Sequence, residues 1–171
     1  VLKQTYFNWE HLLVDDYSTD GSWEVLDSFA GLDNRIRVFK LESNCGPGKA
    51  RNHAIERAAG KYIAFLDSDD IWLPNRLEDH IFFMIKGDYV FSHSSYGFLN
   101  EDGTLKSKIY NVRDREVDYK YLLKHTDISC LTAIYDQERI GKFYMPDLRR
   151  KQDYGLWLSI LKKGYKSMPY P

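Results

Sequence analysis

The fold prediction depends on the stretch Tyr62-Ile63-Ala64-Phe65-Leu66-Asp67-Ser68-Asp69-Asp70. Its first five residues are apolar or aromatic without interruption, which is typical of a strand buried on both faces inside a parallel sheet. Three carboxylates follow within four positions. Burying so much unpaired charge would cost more than the strand gains, so these acids are expected to face water or a cation. Because ligands of open α/β sheets bind at the carboxyl ends of strands, the stretch predicts an α/β domain with a ligand site there.

The acids of this stretch also indicate a kind of ligand. Carboxylate oxygens suit a hard divalent ion such as Mg2+ or Mn2+, particularly one shared with a phosphate group. Asp67 and Asp69 are therefore candidate residues of a metal and diphosphate site. A lone Asp-x-Asp occurs often by chance, however. The alternative is a solvated loop that also caps a helix starting near Pro74.

A second apolar strand, His11-Leu12-Leu13-Val14, runs directly into the acids Asp15 and Asp16. In a parallel sheet the carboxyl ends of both strands lie on one edge, so the two acidic clusters are expected to converge. Converging carboxylates would suit a nucleotide, which offers hydroxyls, ring N–H donors and a metal-bridged phosphate. The alternative is that Asp15 and Asp16 only initiate the turn over Ser18–Ser22.

The order of the remaining elements supports an α/β fold. Strands are predicted over 11–14, 36–41 and 62–66, and helices over 22–30, from Pro47 to Gly60, and from Pro74. This alternation predicts a mainly parallel sheet with helical cover. The later predictions are strands over 89–92, 105–110, 132–135 and 165–170, a turn over 100–103, and helices over 118–124 and 152–163.

Composition limits the classes of function. The chain of 171 residues is most simply one domain, and its 43% hydrophobic and 29% charged residues fit a globular protein. A net charge of −1 gives no field that favours nucleic acid. Cys45 and Cys130 form no C-x-x-C pair, which excludes a zinc ribbon and favours a reducing compartment. No apolar run approaches the roughly 20 residues that span a bilayer, so the expected place is the cytoplasm, with peripheral association at the inner membrane face as an alternative.

Four groups of residues, in order along the chain, resemble the motifs of glycosyltransferase family 2. Together they span nearly the whole chain. The groups are Gln4-Thr5-Tyr6 with Val14 to Ser22, Asn44 and Gly46 with Ala50-Arg51-Asn52, Asp67-Ser68-Asp69-Asp70 with Trp72-Leu73-Pro74, and Gln152-Asp153-Tyr154 with Leu156-Trp157.

The resemblance implies a GT-A fold, a Rossmann-like αβα sandwich with a mainly parallel central sheet and a small antiparallel acceptor-side element. Residues 1–171 would form one domain, with a nucleotide-binding half over 1–87 and an acceptor-side half over 88–171. Family members usually begin with an apolar strand before the Gln-Thr motif, so the first strand is expected to be missing. The implied activity is inverting transfer from a nucleotide-diphosphate sugar, typically a UDP-sugar, to a saccharide or lipid-linked acceptor in bacterial-type polysaccharide or glycolipid assembly.

The resemblance also implies donor-side roles for particular residues. Asp16 would bind the base, with Asp15 supporting its loop, and Asp67 would lie near the ribose and diphosphate. Asp69 would coordinate the divalent metal, Mn2+ or Mg2+. Arg51 would line the donor pocket. The alternative for Arg51 is an ion pair with Glu56 or a nearby acid on a solvated helix face.

On the acceptor side the resemblance makes Asp153 the general base. An acceptor hydroxyl attacks well only as its proton leaves, so a carboxylate is needed beside it. The metal would offset the charge of the departing diphosphate. The alternative for Asp153 is a helix N-cap worth about 1 kcal/mol. The basic run Arg149–Lys151 is expected to be a solvated face, or else to meet the phosphates of a lipid-linked acceptor.

Two other functions remain open at this point. A nucleotidyltransferase can share the sheet architecture, but it normally needs a Gly-rich N-terminal loop for triphosphate, and none is visible. A non-catalytic nucleotide-sugar-binding module would have no need of a base, so the presence of Asp69 and Asp153 argues against it. Oligomeric state is also open, and a homodimer is compatible with everything above.

Overall fold

Helices and strands alternate through the first half of the chain, as predicted. The computed structural model describes residues 1–100 and 102–171, so residue 101 of the predicted turn over 100–103 lies outside the described residues. The elements are β1 His11–Asp15, α1 Ser22–Ala30, β2 Ile36–Lys40, α2 Pro47–Arg57, β3 Tyr62–Ala64, α3 Arg76–Lys86, β4 Phe91–Ser94, β5 Tyr96–Leu99, β6 Leu105–Tyr110, α4 Tyr119–Leu122, a 3-10 turn Cys130–Thr132, β7 Ile134–Asp136, α5 Gln137–Ile140, α6 Gln152–Lys162 and β8 Met168–Tyr170.

The first two strands form a parallel pair. β1 and β2 are in register from His11 opposite Ile36 to Asp15 opposite Lys40, and α1 is the crossover between them. The bounds of α1 are those predicted from its apolar spacing. β1 therefore ends in acids, as the sequence indicated, whereas β2 ends at Lys40.

The larger sheet is mixed, with the strand order β3-β7-β4-β8. β7 runs antiparallel to both β3 and β4, and β4 is parallel to β8. Three of the four strands thus point the same way, but only the β4–β8 pairing is parallel, so this sheet is mixed rather than mainly parallel. β3 is shorter than the predicted strand over 62–66, because its pairing stops where Ala64 meets Ile134 at the start of β7.

β1 and β3 are not paired with each other, which corrects the prediction that they lie in one continuous parallel sheet. β1 pairs only with β2, and β3 pairs only with β7, among the described strands. A cleft of about 1060 Å³ lies between β1 and β3 and is lined by residues of both strands and of α2 and α3. The two acidic strand ends therefore meet across a cleft rather than along one sheet edge.

The main hydrophobic core surrounds Trp157 of α6, which is fully buried. Its ring contacts Phe65 and Phe91 at centroid distances of 5.7 and 5.4 Å. Trp157 is therefore a core residue. It also anchors α6, whose first turn contains Asp153, against the segment that leads from β3 into the acidic cluster.

His80 and His93 are buried structural residues. His80 Nε2 lies 2.8 Å from Ser92 Oγ, and His93 Nδ1 lies 2.8 Å from Ser167 Oγ. Burial lowers the pKa of His80 to about 2 and that of His93 to about 4. Both rings are therefore neutral at pH 7 in the folded chain.

Residues 88–171 contain a small antiparallel element, as expected. β5 and β6 form a hairpin in which Tyr96 lies opposite Tyr110. Sequence patterns did not predict β5 or α5, and each is only four residues long. In the part of the chain that the structure describes, no helix has the length and apolar character needed to cross a membrane.

Candidate active site

The acidic segment after β3 is held by a basic residue of α2. Arg51 Nη2 lies 2.5 Å from Asp67 Oδ1, and its Nε donates to the same oxygen at 3.2 Å. The Asp70 amide donates to the Asp67 carbonyl at 3.1 Å, so the backbone turns here. α3 is capped instead by Asn75, without a side-chain hydrogen bond. The acids are therefore not the cap of α3, and the capping alternative is wrong.

Asp69 and Asp70 differ in their surroundings. Asp69 is exposed and makes no side-chain hydrogen bond within the described residues. Asp70 is partly buried, and this burial, together with the nearby charges of Asp69 and Asp67, raises the pKa of its carboxyl group. A cation near Asp69 would relieve this repulsion between carboxylates.

Asp15 and Asp16 have different positions at the end of β1. Asp15 is only 3% exposed, and its carboxylate accepts from the Ser18 amide at 3.2 and 3.3 Å. Asp15 therefore helps to form the turn after β1, which was the alternative role considered for both acids. The two oxygens of Asp16 accept instead from the amides of Cys45 and Gly46, at 2.8 and 2.7 Å.

These bonds to Asp16 connect β1 to the loop that precedes α2. Asn44 Nδ2 also donates to the Asp16 carbonyl, at 3.0 Å. Gly46 has a φ of 85°, which side chains rarely adopt, so the loop needs glycine where its amide meets Asp16. The segment Asn44-Cys45-Gly46 thus donates two backbone amides to the Asp16 carboxylate.

Arg51 faces several acidic groups at once. Burial alone would lower the pKa of its guanidinium, but the hydrogen bond to Asp67 and the nearby Cys130 and Asp153 outweigh burial and raise the pKa above its ordinary value. Its side chain is 20% exposed. Glu56, which was the alternative partner, pairs with Arg57 at 3.0 Å instead.

Asp153 lies in the first turn of α6, partly buried. The N-cap of this helix is Lys151, which has a φ of 59° and makes no side-chain capping bond. The interpretation of Asp153 as an N-cap is therefore wrong. Its charge contributes to raising the pKa of both Arg51 and Cys130, so Asp153 lies near the Arg51–Asp67 pair.

Cys130 is a residue of this site that sequence reasoning missed. It is 8% exposed, and burial raises the pKa of its thiol to about 12 against the opposing effect of Arg51. The thiol is therefore protonated at neutral pH. In the sequence Cys130 is a single cysteine outside any C-x-x-C pair. Nothing in that pattern predicts that it lies near Arg51.

The cleft between β1 and β3 brings together four of the six predicted residues. Asp16, Arg51, Asp67 and Asp69 all line it. Asp15 is buried in the turn after β1. Asp153 does not line the cleft, but its charge raises the pKa of Arg51, which does. Trp72, another residue of the cleft, donates from Nε1 to the Leu131 carbonyl at 3.1 Å and packs against the hydrophobic cluster that contains Leu77 and Ile134.

Two further predictions concern the basic run before α6 and the ligands of a divalent ion. Arg149, Arg150 and Lys151 are exposed, as expected of a solvated face. Among residues 1–100 and 102–171, no three His, Cys, Asp or Glu side chains are grouped so that they could hold a metal ion by themselves. Any divalent ion at Asp69 would therefore need ligands from a substrate or from water.

Comparison with protein families identifies the type of domain. The family model described as "Glycosyl transferase family 2" matches residues 1–143. Over 165 residues the chain is 44% identical to the Bacillus subtilis (strain 168) protein named "Putative teichuronic acid biosynthesis glycosyltransferase TuaG", covering 96% of the chain and 65% of that protein. It is 42% identical over 162 residues to the Escherichia coli UDP-Glc:alpha-D-GlcNAc-diphosphoundecaprenol beta-1,3-glucosyltransferase WfgD, covering 95% of the chain and 62% of that protein. The chain thus spans a little under two thirds of each relative's length.

Solved structures agree with the GT-A architecture. The crystal structure of Staphylococcus aureus TarS 1-349 matches with a TM-score of 0.74 and 23% identity, over 98% of this chain and 51% of that one. The mannosyltransferase PcManGT from Pyrobaculum calidifontis, solved in complex with GDP-Man and Mn2+, matches with a TM-score of 0.69 and 18% identity, over 99% and 48% of the two chains. At these identities the likeness shows the fold, and the fold is the one that the sequence predicted.

Proposed function

The chain belongs to glycosyltransferase family 2, and we propose that it is the catalytic domain of an inverting enzyme that transfers a sugar from a nucleotide-diphosphate sugar to an acceptor hydroxyl. The single observation that carries this proposal is the bonding of Arg51 to Asp67 with Asp153 close enough to affect the pKa of Arg51. Acids from two distant segments thereby flank one cationic side chain beside a cleft. A cationic side chain can attract the donor phosphate, and a carboxylate can accept the proton of the acceptor hydroxyl.

We propose that the donor nucleotide is UDP and that its base binds at Asp16. Each Asp16 oxygen accepts one backbone N–H, and a carboxylate has about four acceptor sites in total. Capacity therefore remains for a ring N–H of the base. The relative WfgD is named for a UDP-Glc donor, which supports the choice of nucleotide.

The residues of the cleft fit a divalent ion held together with substrate. Asp69 offers exposed carboxylate oxygens with no hydrogen-bond partner in the described part of the chain, and hard ions prefer such ligands. We propose that Asp69 holds Mn2+ or Mg2+ and that Arg51 keeps Asp67 directed toward the donor. When bound, the ion supplies a positive charge against the charge that gathers on the leaving diphosphate.

Asp153 acts as the general base in this mechanism. The acceptor oxygen forms a bond to the anomeric carbon while the bond from that carbon to the diphosphate breaks, and the hydroxyl proton passes to Asp153. A single displacement inverts the configuration at that carbon. Because Asp153 makes no capping bond, its carboxylate is available as a proton acceptor.

We propose that the acceptor is a saccharide, free or lipid-linked, in polysaccharide or glycolipid assembly, reached from the side of the chain over 88–171. The names of TuaG and WfgD, which refer to teichuronic acid biosynthesis and to a diphosphoundecaprenol acceptor, support this class. The exposed run Arg149–Lys151 next to α6 would meet a lipid phosphate or the membrane surface.

We also propose that the apolar part of the cleft between β1 and β3 receives the first strand expected of the family, which would leave the acidic ends of the strands for the donor. Neither strand has a partner on its cleft side among the described strands, and the lining includes apolar residues such as Leu13, Ile55 and Ile63. Hydrogen exchange tests this, because the amides of β1 and β3 should exchange more slowly in a chain extended at its N-terminus. Equal exchange in both chains would refute it.

The function is tested by titration calorimetry of UDP with and without Mn2+. Metal-dependent binding that is lost in Asp69→Ala but kept in Asp79→Ala, an acid of α3 outside the site, would support the donor site. Transfer assays with UDP-sugars would then follow. Failure of UDP, GDP, dTDP and CDP alike to bind the full-length protein would overturn the proposal.

A further inference from the structure

Asn52 of α2 connects two parts of the chain that are 93 residues apart. Its Nδ2 donates to the Met145 carbonyl at 2.8 Å, and its Oδ1 accepts from the Met145 amide at 2.7 Å. The side-chain amide thus satisfies both backbone polar groups of one residue, as a neighbouring strand would. Met145 is only 3% exposed, so without Asn52 both groups would be left unsatisfied in a buried place.

The segment after Met145 leads into the helix that contains Asp153. Pro146 packs against Gly155 of α6 so closely that a Cβ at Gly155 would lie 2.5 Å from Pro146 Cγ. Farther along, a Cβ at Gly48 of α2 would lie 3.0 Å from Gln152 Cγ. α2 therefore touches this segment at both of its ends, at Met145 and at the residue directly before Asp153.

Arg51, the residue before Asn52 in α2, contacts the acidic segment after β3. Arg51 bonds to Asp67, and its Nη1 also lies 3.9 Å from Met145 Sδ. Two consecutive side chains thus hold the donor-side acid and the segment that leads to the acceptor-side base. Lys49 adds an ion pair to Asp147 at 3.9 Å, but both groups are more than half exposed, so this pair contributes little.

We propose that Asn52 is a positioning residue of the transfer reaction: by bonding to both backbone groups of Met145 it sets where α6 presents Asp153 to the acceptor. This inference rests on the proposed function, with Asp153 as the base. Asn52 touches no reacting atom and does not contact the acid that faces the donor. Its loss should therefore slow the chemical step while donor binding is preserved.

The experiment uses the full-length enzyme and the variants Asn52→Ala and Asn52→Asp. Alanine removes both bonds, whereas aspartate keeps the acceptor for the Met145 amide and sets a second oxygen against the Met145 carbonyl. Asn34→Ala is the control, because Asn34 is exposed and its side chain makes no hydrogen bond within the described residues. Turnover, donor KM, the UDP dissociation constant and hydrogen exchange over 143–153 are measured for each protein.

We expect kcat to fall roughly 10- to 100-fold in Asn52→Ala, because small displacements of a catalytic group have effects of that size. The donor KM and the UDP dissociation constant should stay within about twofold of the parent values. Amides over 145–153 should exchange faster in both Asn52 variants and at the parent rate in Asn34→Ala. A purely structural role would lower the stability of the whole chain and leave the kcat of the folded fraction unchanged.

Two results would overturn the inference. One is a kcat within about twofold of the parent in both variants. The other is exchange over 145–153 that does not differ from the parent, a result that needs no activity. If the parent enzyme turns over no nucleotide-sugar at all, the proposed function fails, and the exchange data alone then decide whether Asn52 positions this segment.

Discussion

Arg51 and Asp67 form a 2.5 Å contact between Nη2 and Oδ1 that connects α2 to the acidic segment after β3. The side chains are 20% and 35% exposed, so the pair is only partly screened by water. Arg51 also has Asp153 and Cys130 near enough to raise its pKa. It therefore lies close to acids from two distant segments, the one after β3 and the first turn of α6.

Arg51→Gln should weaken both folding and donor binding. We expect the free energy of unfolding to fall by about 1–2 kcal/mol, because Asp67 loses a charged hydrogen-bond partner while remaining partly buried. UDP should bind more weakly, since Asp67 is then free to move. Urea unfolding and calorimetry measure the two effects. Lys49→Gln is the control, because Lys49 and its partner Asp147 are 55% and 86% exposed, and it should change stability by less than about 0.5 kcal/mol. Equal effects of the two substitutions would contradict the role given to Arg51.

Asp153→Asn should remove most turnover without affecting donor binding. Loss of a general base costs roughly 10²- to 10⁴-fold in rate, and asparagine keeps the shape of the side chain. Steady-state transfer assays and UDP calorimetry on the same preparation separate the two quantities. Asp147→Asn is the matched control, because Asp147 belongs to the same segment but its side chain is 86% exposed. Unchanged turnover in Asp153→Asn would exclude Asp153 as the base.

Stability should fall as the pH decreases below 6.5. The folded chain keeps His80, His93 and His11 neutral because burial lowers their pKa values to about 2, 4 and 4, whereas the unfolded chain binds protons on all three from about pH 6.5. Since the unfolded state then holds more protons, the free energy of unfolding decreases by about 1.4 kcal/mol per pH unit for each histidine. This loss runs down to about pH 4 for His93 and His11 and continues to about pH 2 for His80.

Urea unfolding between pH 5 and 8.5 measures this dependence. His93→Gln should make the slope between pH 5 and 6.5 shallower and leave the flat region above pH 7 flat. Comparing slopes rather than absolute stabilities removes the effect of the altered packing around a residue that is 1% exposed. A slope identical to that of the parent would show that His93 is already charged in the folded chain.

Gly155→Ala should destabilise the chain although alanine favours helices. The new Cβ would lie 2.5 Å from the ring of Pro146, which cannot rotate away. Overpacking costs about 1–3 kcal/mol, which exceeds the roughly 1 kcal/mol gained in helix propensity. Gly31→Ala is the control, because no atom lies within 4 Å of the position that its new methyl group would take, and its φ is −86°. It should stabilise the chain by about 0.4–1 kcal/mol. Thermal or urea unfolding of both variants checks the opposite signs.

The local patterns of the sequence determined the type of fold and the place of the site. Uninterrupted apolar residues before Asp15 and Asp67 predicted strands ending in acids, and both acidic ends lie at one cleft. Apolar spacing predicted α1 and α6 closely, since 3.6-residue periodicity is a property of the segment itself. The order of four motifs indicated the family.

Only the tertiary structure decided which partner each side chain has. The reversed strand β7 is only three residues long and shows no periodicity, so its place between β3 and β4 depends on packing. Asp153 resembled a cap in the sequence because capping preference is local, whereas Lys151 holds that position in the fold. The bonds from Asn52 to Met145 and from Arg51 to Asp67 join segments distant in the chain. No short window of sequence contains such a pair, because it exists only once the core around Trp157 has brought α2, α6 and the acidic segment together.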